Sequence, residues 1–183
     1  MGGARERASP DRSSRRLALE SAALGVGRAR GSIMEQKRRL IPPVYFLLAL
    51  ALMMALHWTL PIARAVAPPL SYVGTVLIVA GLWLGGHAFR GFSKAGTPVV
   101  PFERSTALVT NGSYRITRNP MYVGMVLILA GSALLLGTVG PWLPIPFFIW
   151  VIRSNFILGE ERFLEELFGQ QYLAYKSRVR RWL

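Results

Sequence analysis

Four long runs of apolar residues constrain this fold more than any other feature of the sequence. Residues 42–60 consist almost entirely of Leu, Ala, Met and aromatic residues. At about 1.5 Å per helical residue, a run of this length matches a hydrocarbon core of roughly 30 Å. Comparable runs occupy residues 70–89, 121–139 and 142–158. The expected fold class is therefore all-α: a multi-pass membrane helical bundle with four transmembrane helices.

The basic residues lie in the segments that flank these runs. Ten Lys and Arg residues precede Leu40, five lie between residues 90 and 118, and five follow residue 158. Cytoplasmic segments of membrane proteins carry such an excess, so we expect both termini in the cytoplasm and the bacterial inner membrane as the location. This distribution explains the net charge of +13 without nucleic acid. Membrane lipid is the expected surrounding partner.

The two ends of the chain differ from its apolar centre. Residues 1–33 are rich in Arg, Ala, Gly and Ser, which predicts a disordered basic extension. Residues 34–183 are the expected membrane domain. Within it, residues 160–183 repeat apolar positions at helical spacing among charged ones, which predicts a cytoplasmic amphipathic helix. Gly169 is the expected break in that helix.

Two polar clusters stand next to the apolar runs. Residues 112–124 place two Arg, two Tyr, an Asn and a Pro at the mouth of the third run, where polar side chains are costly and often functional. Glu160 and Glu161 follow the fourth run, although acids are unfavourable beside an anionic leaflet. The chain has only two histidines, His57 and His87, and no cysteine. We therefore expect neither a metal site nor a cysteine nucleophile.

Two further residues have two interpretations each. Arg153, near the end of the fourth run, either extends to the membrane interface or neutralises an acidic group of a substrate or cofactor. His87, at the cytoplasmic end of the second run, either lies at the surface or faces a cofactor.

Three groups of motifs together resemble one enzyme family. They are Thr106-Ala-Leu-Val-Thr-Asn-Gly-Ser-Tyr114, Arg118-Asn-Pro-Met-Tyr-Val-Gly124, and Glu160-Glu-Arg-Phe-Leu164 followed by Phe168-Gly-Gln-Gln-Tyr-Leu-Ala-Tyr175 and Val179-Arg-Arg181. The chain thereby resembles the integral-membrane methyltransferases related to isoprenylcysteine carboxyl methyltransferase and to phospholipid methyltransferases. The resemblance implies an enzyme that binds S-adenosylmethionine in a cytoplasm-facing pocket and methylates a lipophilic or membrane-proximal acceptor.

The resemblance also implies a set of site residues. The cofactor-binding candidates lie in the loop before the third run, at the head of that run and after the fourth: Thr106, Ala107, Leu108, Val109, Tyr114, Asn119, Pro120, Met121, Tyr122 and Glu160. The candidates for catalysis are Arg118, Asn119, Arg153 and Glu161. Tyr114 and residues 119–122 are expected to face Glu160, which predicts contact between segments that are far apart in sequence.

The chain departs from the family pattern at two positions. The eukaryotic enzymes have His before the Pro, where this chain has Asn119. Asn donates and accepts hydrogen bonds but does not titrate, so we expect no general base there. The arginine that those enzymes place shortly before the glutamates has no match at its spacing, and Arg153 is only nearby. The accepting group therefore stays open among a carboxylate, an amine and a thiol.

The chemistry implied by the resemblance suits this composition. Methyl transfer from a sulfonium needs alignment of the reactants and exclusion of water, so it requires no protein nucleophile. No G-x-G-x-x-G loop follows a strand pattern, which excludes a soluble-type Rossmann methyltransferase. Two alternatives stay open: an NADPH-dependent membrane reductase of the sterol type, which resembles these enzymes in its C-terminal half, and a small membrane protein without catalytic activity.

Overall fold

Helices make up most of the described structure, and short non-helical segments connect them. The computed structural model describes residues 41–60, 63–94 and 108–183, with the side chains of residues 92–94 excepted. Within these ranges no strand forms, which confirms the all-α prediction. The predicted extension of residues 1–33 lies outside the described residues, as do Thr106 and Ala107.

The described ranges contain six α-helices. They are α1 (Pro42–Thr59), α2 (Val73–Lys94), α3 (Pro120–Leu136), α4 (Pro144–Ile152), α5 (Leu158–Phe168) and α6 (Gln170–Arg178). Short 3-10 turns precede α2, α3 and α4 at Leu70–Tyr72, Gly112–Arg115 and Gly140–Trp142. Proline stands in the first turn of α1, α3 and α4. Backbone N–H groups in a first turn have no partner within the helix, so the missing N–H of proline costs no hydrogen bond there.

Among the described residues, three helical segments are long and apolar enough to cross a membrane. They are Pro42–Thr59, Leu70–Gly91 and Gly140–Phe168, which confirms three of the four predicted spans. The remaining predicted span, at 121–139, forms the 17-residue α3, which rises about 25 Å. It ends at Gly137, whose φ of 70° is the left-handed conformation common just after a helix.

The fourth predicted span and the start of the C-terminal segment form one continuous helix. A π-helical turn, Arg153–Ile157, joins α4 directly to α5, so the helical segment Gly140–Phe168 is 29 residues long. Glu160 and Glu161 therefore stand in the first turn of α5. The helix continues because residues 158–160 contain no proline and because the π-helical turn absorbs one extra residue without a break.

The C-terminal segment is also shorter in helix than predicted. Gly169 breaks it as expected, with a φ of 49°, but α6 ends at Arg178. Val179 is extended (φ −121°, ψ 132°), and we call residues 179–183 the tail. The tail leaves the helix because two of its carbonyl groups accept hydrogen bonds from the segment before α3.

Helices α2 and α3 approach each other through glycine. A Cβ added at Gly81 would lie 2.6 Å from the carbonyl oxygen of Gly124, so only glycine permits this separation. Close approach of this kind is typical of helices that pack inside membranes. Gly81 thus serves helix packing, and the contact holds the first turns of α3 beside the middle of α2.

The buried core lies between α1, α3 and α4. Met53 on α1, Leu129 on α3 and Ile152 on α4 are almost wholly buried, and Phe156 of the π-helical turn meets the Tyr45 ring edge-on at 5.7 Å between centroids. Trp182 of the tail packs against the same cluster. The core therefore fixes the continuous helix of α4, the π-helical turn and α5, which carries Glu160. It also holds the end of the tail.

Candidate functional site

A hydrogen bond joins the two polar clusters that the sequence singled out. Tyr122, in the first turns of α3, donates its hydroxyl to Glu160 Oε1 at 2.8 Å. Tyr122 is 7% exposed, whereas Glu160 is half-buried. The predicted contact between segments separated by 38 positions is confirmed. Because the acceptor is a carboxylate, this bond belongs to the stronger class of hydrogen bonds.

Tyr114 lies beside the same carboxylate. It occupies the 3-10 turn before α3 and is buried. Burial raises the pKa of its hydroxyl, and the charge of the nearby Glu160 raises that pKa further. The ring is therefore a neutral hydrogen-bonding group at any physiological pH. Tyr114, Tyr122 and Glu160 together form what we call the Tyr–Glu site.

Helix α6 contacts the turn that carries Tyr114. The Tyr175 hydroxyl donates to the main-chain carbonyl of Tyr114 at 2.7 Å. Its neighbour Tyr172 is almost wholly buried, and burial raises the pKa of Tyr172 to about 12, with Glu161 adding to the rise and Arg118 opposing it. Tyr175 thus holds the 3-10 turn that carries Tyr114, and Tyr172 packs beside Tyr175.

Glu161 has a different environment from its neighbour. Arg181 donates to it through both Nε and Nη2, at 2.9 and 2.7 Å, and Arg118 Nη1 lies 3.4 Å from Glu161 Oε1. The Glu161 side chain is only 8% exposed. A two-pronged arginine–carboxylate pair of this kind is among the strongest polar contacts in proteins. Glu161, Arg118 and Arg181 form what we call the ion-pair cluster.

Asn119 points its amide toward the tail. Its Nδ2 donates to the carbonyl oxygen of Arg181 at 3.0 Å, and its main-chain N–H donates to Thr117 Oγ1 at 3.2 Å. Thr117 in turn donates to the same Arg181 carbonyl at 3.0 Å. Asn119 makes no side-chain capping bond with α3. In this position an amide serves better than a carboxylate, because it has a hydrogen to donate.

Arg118 is buried and only partly satisfied. Its side chain is 9% exposed, and its Nη1 is held by the ion pair with Glu161 alone. Neither Nε nor Nη1 has a hydrogen-bond partner among the described residues. Its charge lowers the otherwise raised pKa values of Tyr172 and Tyr175, so the guanidinium lies near both rings. Buried donors without a partner cost free energy, and an anionic group would satisfy them.

The other predicted residues occupy varied positions. Pro120 is buried and Met121 half-buried in the first turn of α3. Leu108 and Val109 are half-buried and belong to no helix or strand, and Val109 lies against Gly91 of α2. Arg153 is exposed in the π-helical turn, and no hydrogen bond or ion pair between described residues joins it to the Tyr–Glu site.

His87 stands near the turn that carries Tyr114. Its Nδ1 lies 3.4 Å from Ser113 Oγ, and its ring stacks on Trp83 at 5.4 Å between centroids. A Cβ added at Gly112, whose φ is 65°, would lie 2.6 Å from the His87 ring. The histidine therefore packs on the turn, and glycine at 112 makes room for it.

Sequence reasoning gave no role to three residues that hold the site together. Thr117 and Tyr175 are buried bridges, and Arg181 links the tail to Glu161. Arg181 belongs to a motif that the resemblance already included, but a terminal arginine among other basic residues looks like an ordinary surface charge. Tyr175 was part of an apolar stripe, in which its hydroxyl was the only sign of a polar role.

Comparison with known proteins points to one family. The family model described as phospholipid methyltransferase matches residues 70–171, which is more than half of the chain. The matched region contains α2, α3, α4 and α5 and every residue of the Tyr–Glu site. It ends before the tail.

Individual relatives agree with this match. An uncharacterized protein of Haemophilus influenzae is 46% identical over 63 residues, which are 34% of this chain and all of that protein. A probable protein-S-isoprenylcysteine O-methyltransferase of Oryza sativa subsp. indica is 30% identical over 60% of this chain and 58% of its own length. Protein-S-isoprenylcysteine O-methyltransferase of Schizosaccharomyces pombe is 36% identical over 54% of this chain. The match covers 43% of the yeast protein, so about half of each named enzyme is spanned.

Proposed function

The chain belongs to the phospholipid methyltransferase family, and on that premise we propose that it transfers a methyl group from S-adenosylmethionine to a lipophilic acceptor at the membrane. The proposal places this activity in residues 34–183. The observation that carries it is the hydrogen bond between Tyr122 and Glu160. That bond joins the head of one helix to the start of another and assembles two phenols and a carboxylate in one place.

The residues present fit S-adenosylmethionine chemically. When bound, this cofactor supplies a methyl group on a positively charged sulfur. The faces of Tyr114 and Tyr122 are suited to attract a sulfonium by cation–π interaction. Glu160 is suited to accept hydrogen bonds from ribose hydroxyls or from an ammonium group. The Nε of Arg118, which has no hydrogen-bond partner among the described residues, is suited to a carboxylate oxygen, since guanidinium and carboxylate groups pair with matching geometry.

The chain's part in the reaction is positioning rather than covalent chemistry. A methyl transfer in line needs the donor and acceptor held within a near-attack distance and kept from water. The buried tyrosines exclude water on one side of the site. Glu160 is a candidate to orient the cofactor, and Arg118 has a positive charge for an anionic group of either reactant. Asn119 cannot serve as a general base, because an amide does not titrate.

We further propose that α3 crosses the membrane as a fourth span, with both termini in the cytoplasm. A helix of 17 residues lies at the short end of the range that spans a bilayer, and the flanking basic residues favour this orientation. The chain has no native cysteine, so single cysteines can report sidedness directly. In intact cells an impermeant maleimide should label Ala65→Cys and spare Ser177→Cys until the cells are opened; the reverse pattern would refute this topology.

Cofactor binding is tested by calorimetric titration of the purified protein. S-Adenosylmethionine and S-adenosylhomocysteine should each bind saturably, and Glu160→Ala should raise the Kd at least tenfold, which is about 1.4 kcal/mol. Glu166→Ala is the matched control, because Glu166 is an exposed carboxylate on the same helix. Binding of NADPH instead would favour the reductase alternative, and the absence of binding to either adenosyl compound would refute the proposal.

The acceptor is identified by following the methyl group. Purified protein is incubated with S-adenosylmethionine labelled in its methyl group and with an extract of whole membranes. The labelled product should partition with lipid, and its stability to mild base distinguishes an ester from a methylated amine or thioether. Label found only in water-soluble products would contradict a lipophilic acceptor.

A further inference from the structure

The tail contacts both sides of the Tyr–Glu site at once. On one side, the Arg181 carbonyl accepts hydrogen bonds from Thr117 and Asn119, at 3.0 Å each. In addition, the main-chain N–H of Arg118 donates to the Arg180 carbonyl at 2.9 Å. These three bonds fix the segment that immediately precedes Tyr122 in the first turns of α3.

On the other side, the Arg181 side chain holds α5. Its guanidinium donates two hydrogen bonds to Glu161, the residue that follows Glu160 in sequence. Its neighbour Trp182 packs against the hydrophobic core, which anchors the tail beyond the arginine. One residue therefore connects, through its carbonyl and its side chain, the two helix ends whose separation sets the Tyr122–Glu160 contact.

From this arrangement we propose that the tail is a strap that sets the spacing of the Tyr–Glu site, with Arg181 as a positioning residue for cofactor binding. The inference rests on the proposed function for the identity of the ligand. Arg181 acts through Glu161 and through residues 117–119, and it needs no contact with the ligand. Loss of the strap should shift Tyr122 relative to Glu160 and thereby weaken the contacts that both residues make with the ligand.

The first test follows the strap itself, without cofactor. Hydrogen exchange of the Arg118 amide, which donates to the tail, is measured by mass spectrometry on the full-length protein in detergent. Arg181→Ala should accelerate this exchange at least tenfold. Arg178→Ala is the matched control, because Arg178 is an exposed basic residue one position before the tail and its Nε donates to the Ala174 carbonyl of its own helix. It should exchange as the wild type does.

The second test measures the effect on the site. S-Adenosylhomocysteine should bind Arg181→Ala about tenfold more weakly than it binds the wild type or Arg178→Ala. Arg181→Lys should lie between them, because lysine keeps the charge but loses the two-pronged geometry. Exchange equal to the wild type in Arg181→Ala would overturn the proposal, and so would faster exchange together with an unchanged Kd.

Failure of the Arg181→Ala variant to fold and failure of the wild type to bind the ligand have separate consequences. If Arg181→Ala does not fold, Arg181→Lys and Glu161→Gln replace it, and wild-type exchange and binding in both would overturn the strap. If the wild-type protein itself fails to bind S-adenosylhomocysteine, the proposed function fails. The hydrogen-exchange rates of the Arg118 amide in the wild type and in Arg181→Ala then decide whether the tail fixes the position of the segment before α3.

Discussion

The same substitution at the adjacent residues Glu160 and Glu161 should affect two different properties, ligand binding in one case and stability in the other. Glu161 is buried between two arginines, with side-chain exposures of 8% for Glu161, 9% for Arg118 and 27% for Arg181. Glu161→Gln removes the negative charge and leaves both guanidinium groups uncompensated. Breaking a buried ion pair by removing one partner costs about 3–5 kcal/mol. Because Arg181 keeps some contact with solvent, we expect about 3 kcal/mol of lost stability, at the low end of that range.

Glu160→Gln should leave stability nearly unchanged and weaken binding instead. The amide oxygen of Gln can still accept the hydrogen bond from Tyr122 that Glu160 accepts at 2.8 Å. The free energy of unfolding should therefore change by less than about 1 kcal/mol, the net value of an ordinary hydrogen bond. Hydrogen bonds to a carboxylate are roughly twice as strong as neutral ones. We accordingly expect the Kd for S-adenosylhomocysteine to rise about tenfold, or 1.4 kcal/mol.

Two measurements on each variant separate these effects. Unfolding is followed by circular dichroism during titration with sodium dodecyl sulfate in mixed micelles, and binding is measured by calorimetry on protein that is fully folded. Our interpretation would be refuted if Glu161→Gln cost less than 1 kcal/mol of stability. It would also be refuted if Glu160→Gln bound S-adenosylhomocysteine with wild-type affinity.

Three further predictions concern the surroundings of the site. Gly81→Ala should destabilise the protein by about 1–3 kcal/mol through overpacking against Gly124, whereas Gly86→Ala, where a Cβ meets open space, should not; thermal unfolding of the two variants decides this. The free energy of unfolding should fall as the pH rises from 10 to about 12. The unfolded chain releases the Tyr172 proton at the ordinary pKa of tyrosine, whereas the folded protein retains it up to about 12. Tyr172→Phe should make the free energy of unfolding less dependent on pH in this range, and an unchanged slope would contradict the raised pKa of Tyr172. Asn119→Asp should cost about 1–3 kcal/mol by facing the tail carbonyl with an acceptor, whereas Asn119→His, which keeps a donor, should cost less; equal losses in unfolding experiments would count against the observed bond.

The broad architecture was predictable because it follows from run length and composition. Residues 42–60 and 70–89 are apolar over the whole width of a bilayer, and both form the expected helices. The Tyr122–Glu160 contact was predictable from a resemblance that spans both segments. Such a contact requires α3 to lie beside the continuous helix of α4 and α5. The short connection between α3 and α4, which contains the 3-10 turn Gly140–Trp142, allows this arrangement.

The end of the chain was not predictable in the same way. Residues 179–183 continue a basic, weakly apolar pattern that favours helix, yet they form an extended tail. The bonds that hold the tail use the main-chain carbonyls of Arg180 and Arg181. Every residue carries such a carbonyl, so no pattern of side chains announces which ones will be used. The role of Arg181 becomes visible only when the position of Glu161 is known.

The uninterrupted helix through Glu160 was missed for a related reason. The change from apolar to acidic residues near position 158 suggested the end of a span. A helix can nevertheless continue from a membrane into water without a break, since its backbone hydrogen bonds are made within the helix in either medium. Phe156 of the π-helical turn at Arg153–Ile157 packs on Tyr45 of α1, a contact between residues far apart in sequence that no local pattern predicts.

The location of the cofactor is the central claim, and photochemical labelling tests it most directly. S-Adenosylmethionine carrying a labelled methyl group is irradiated with ultraviolet light in the presence of the purified protein, and labelled peptides are identified by mass spectrometry. We predict label on the peptides that contain Tyr114, Tyr122 or Glu160, and its loss when excess S-adenosylhomocysteine competes. Competed label confined to peptides outside these segments, such as those of α1, would contradict the account.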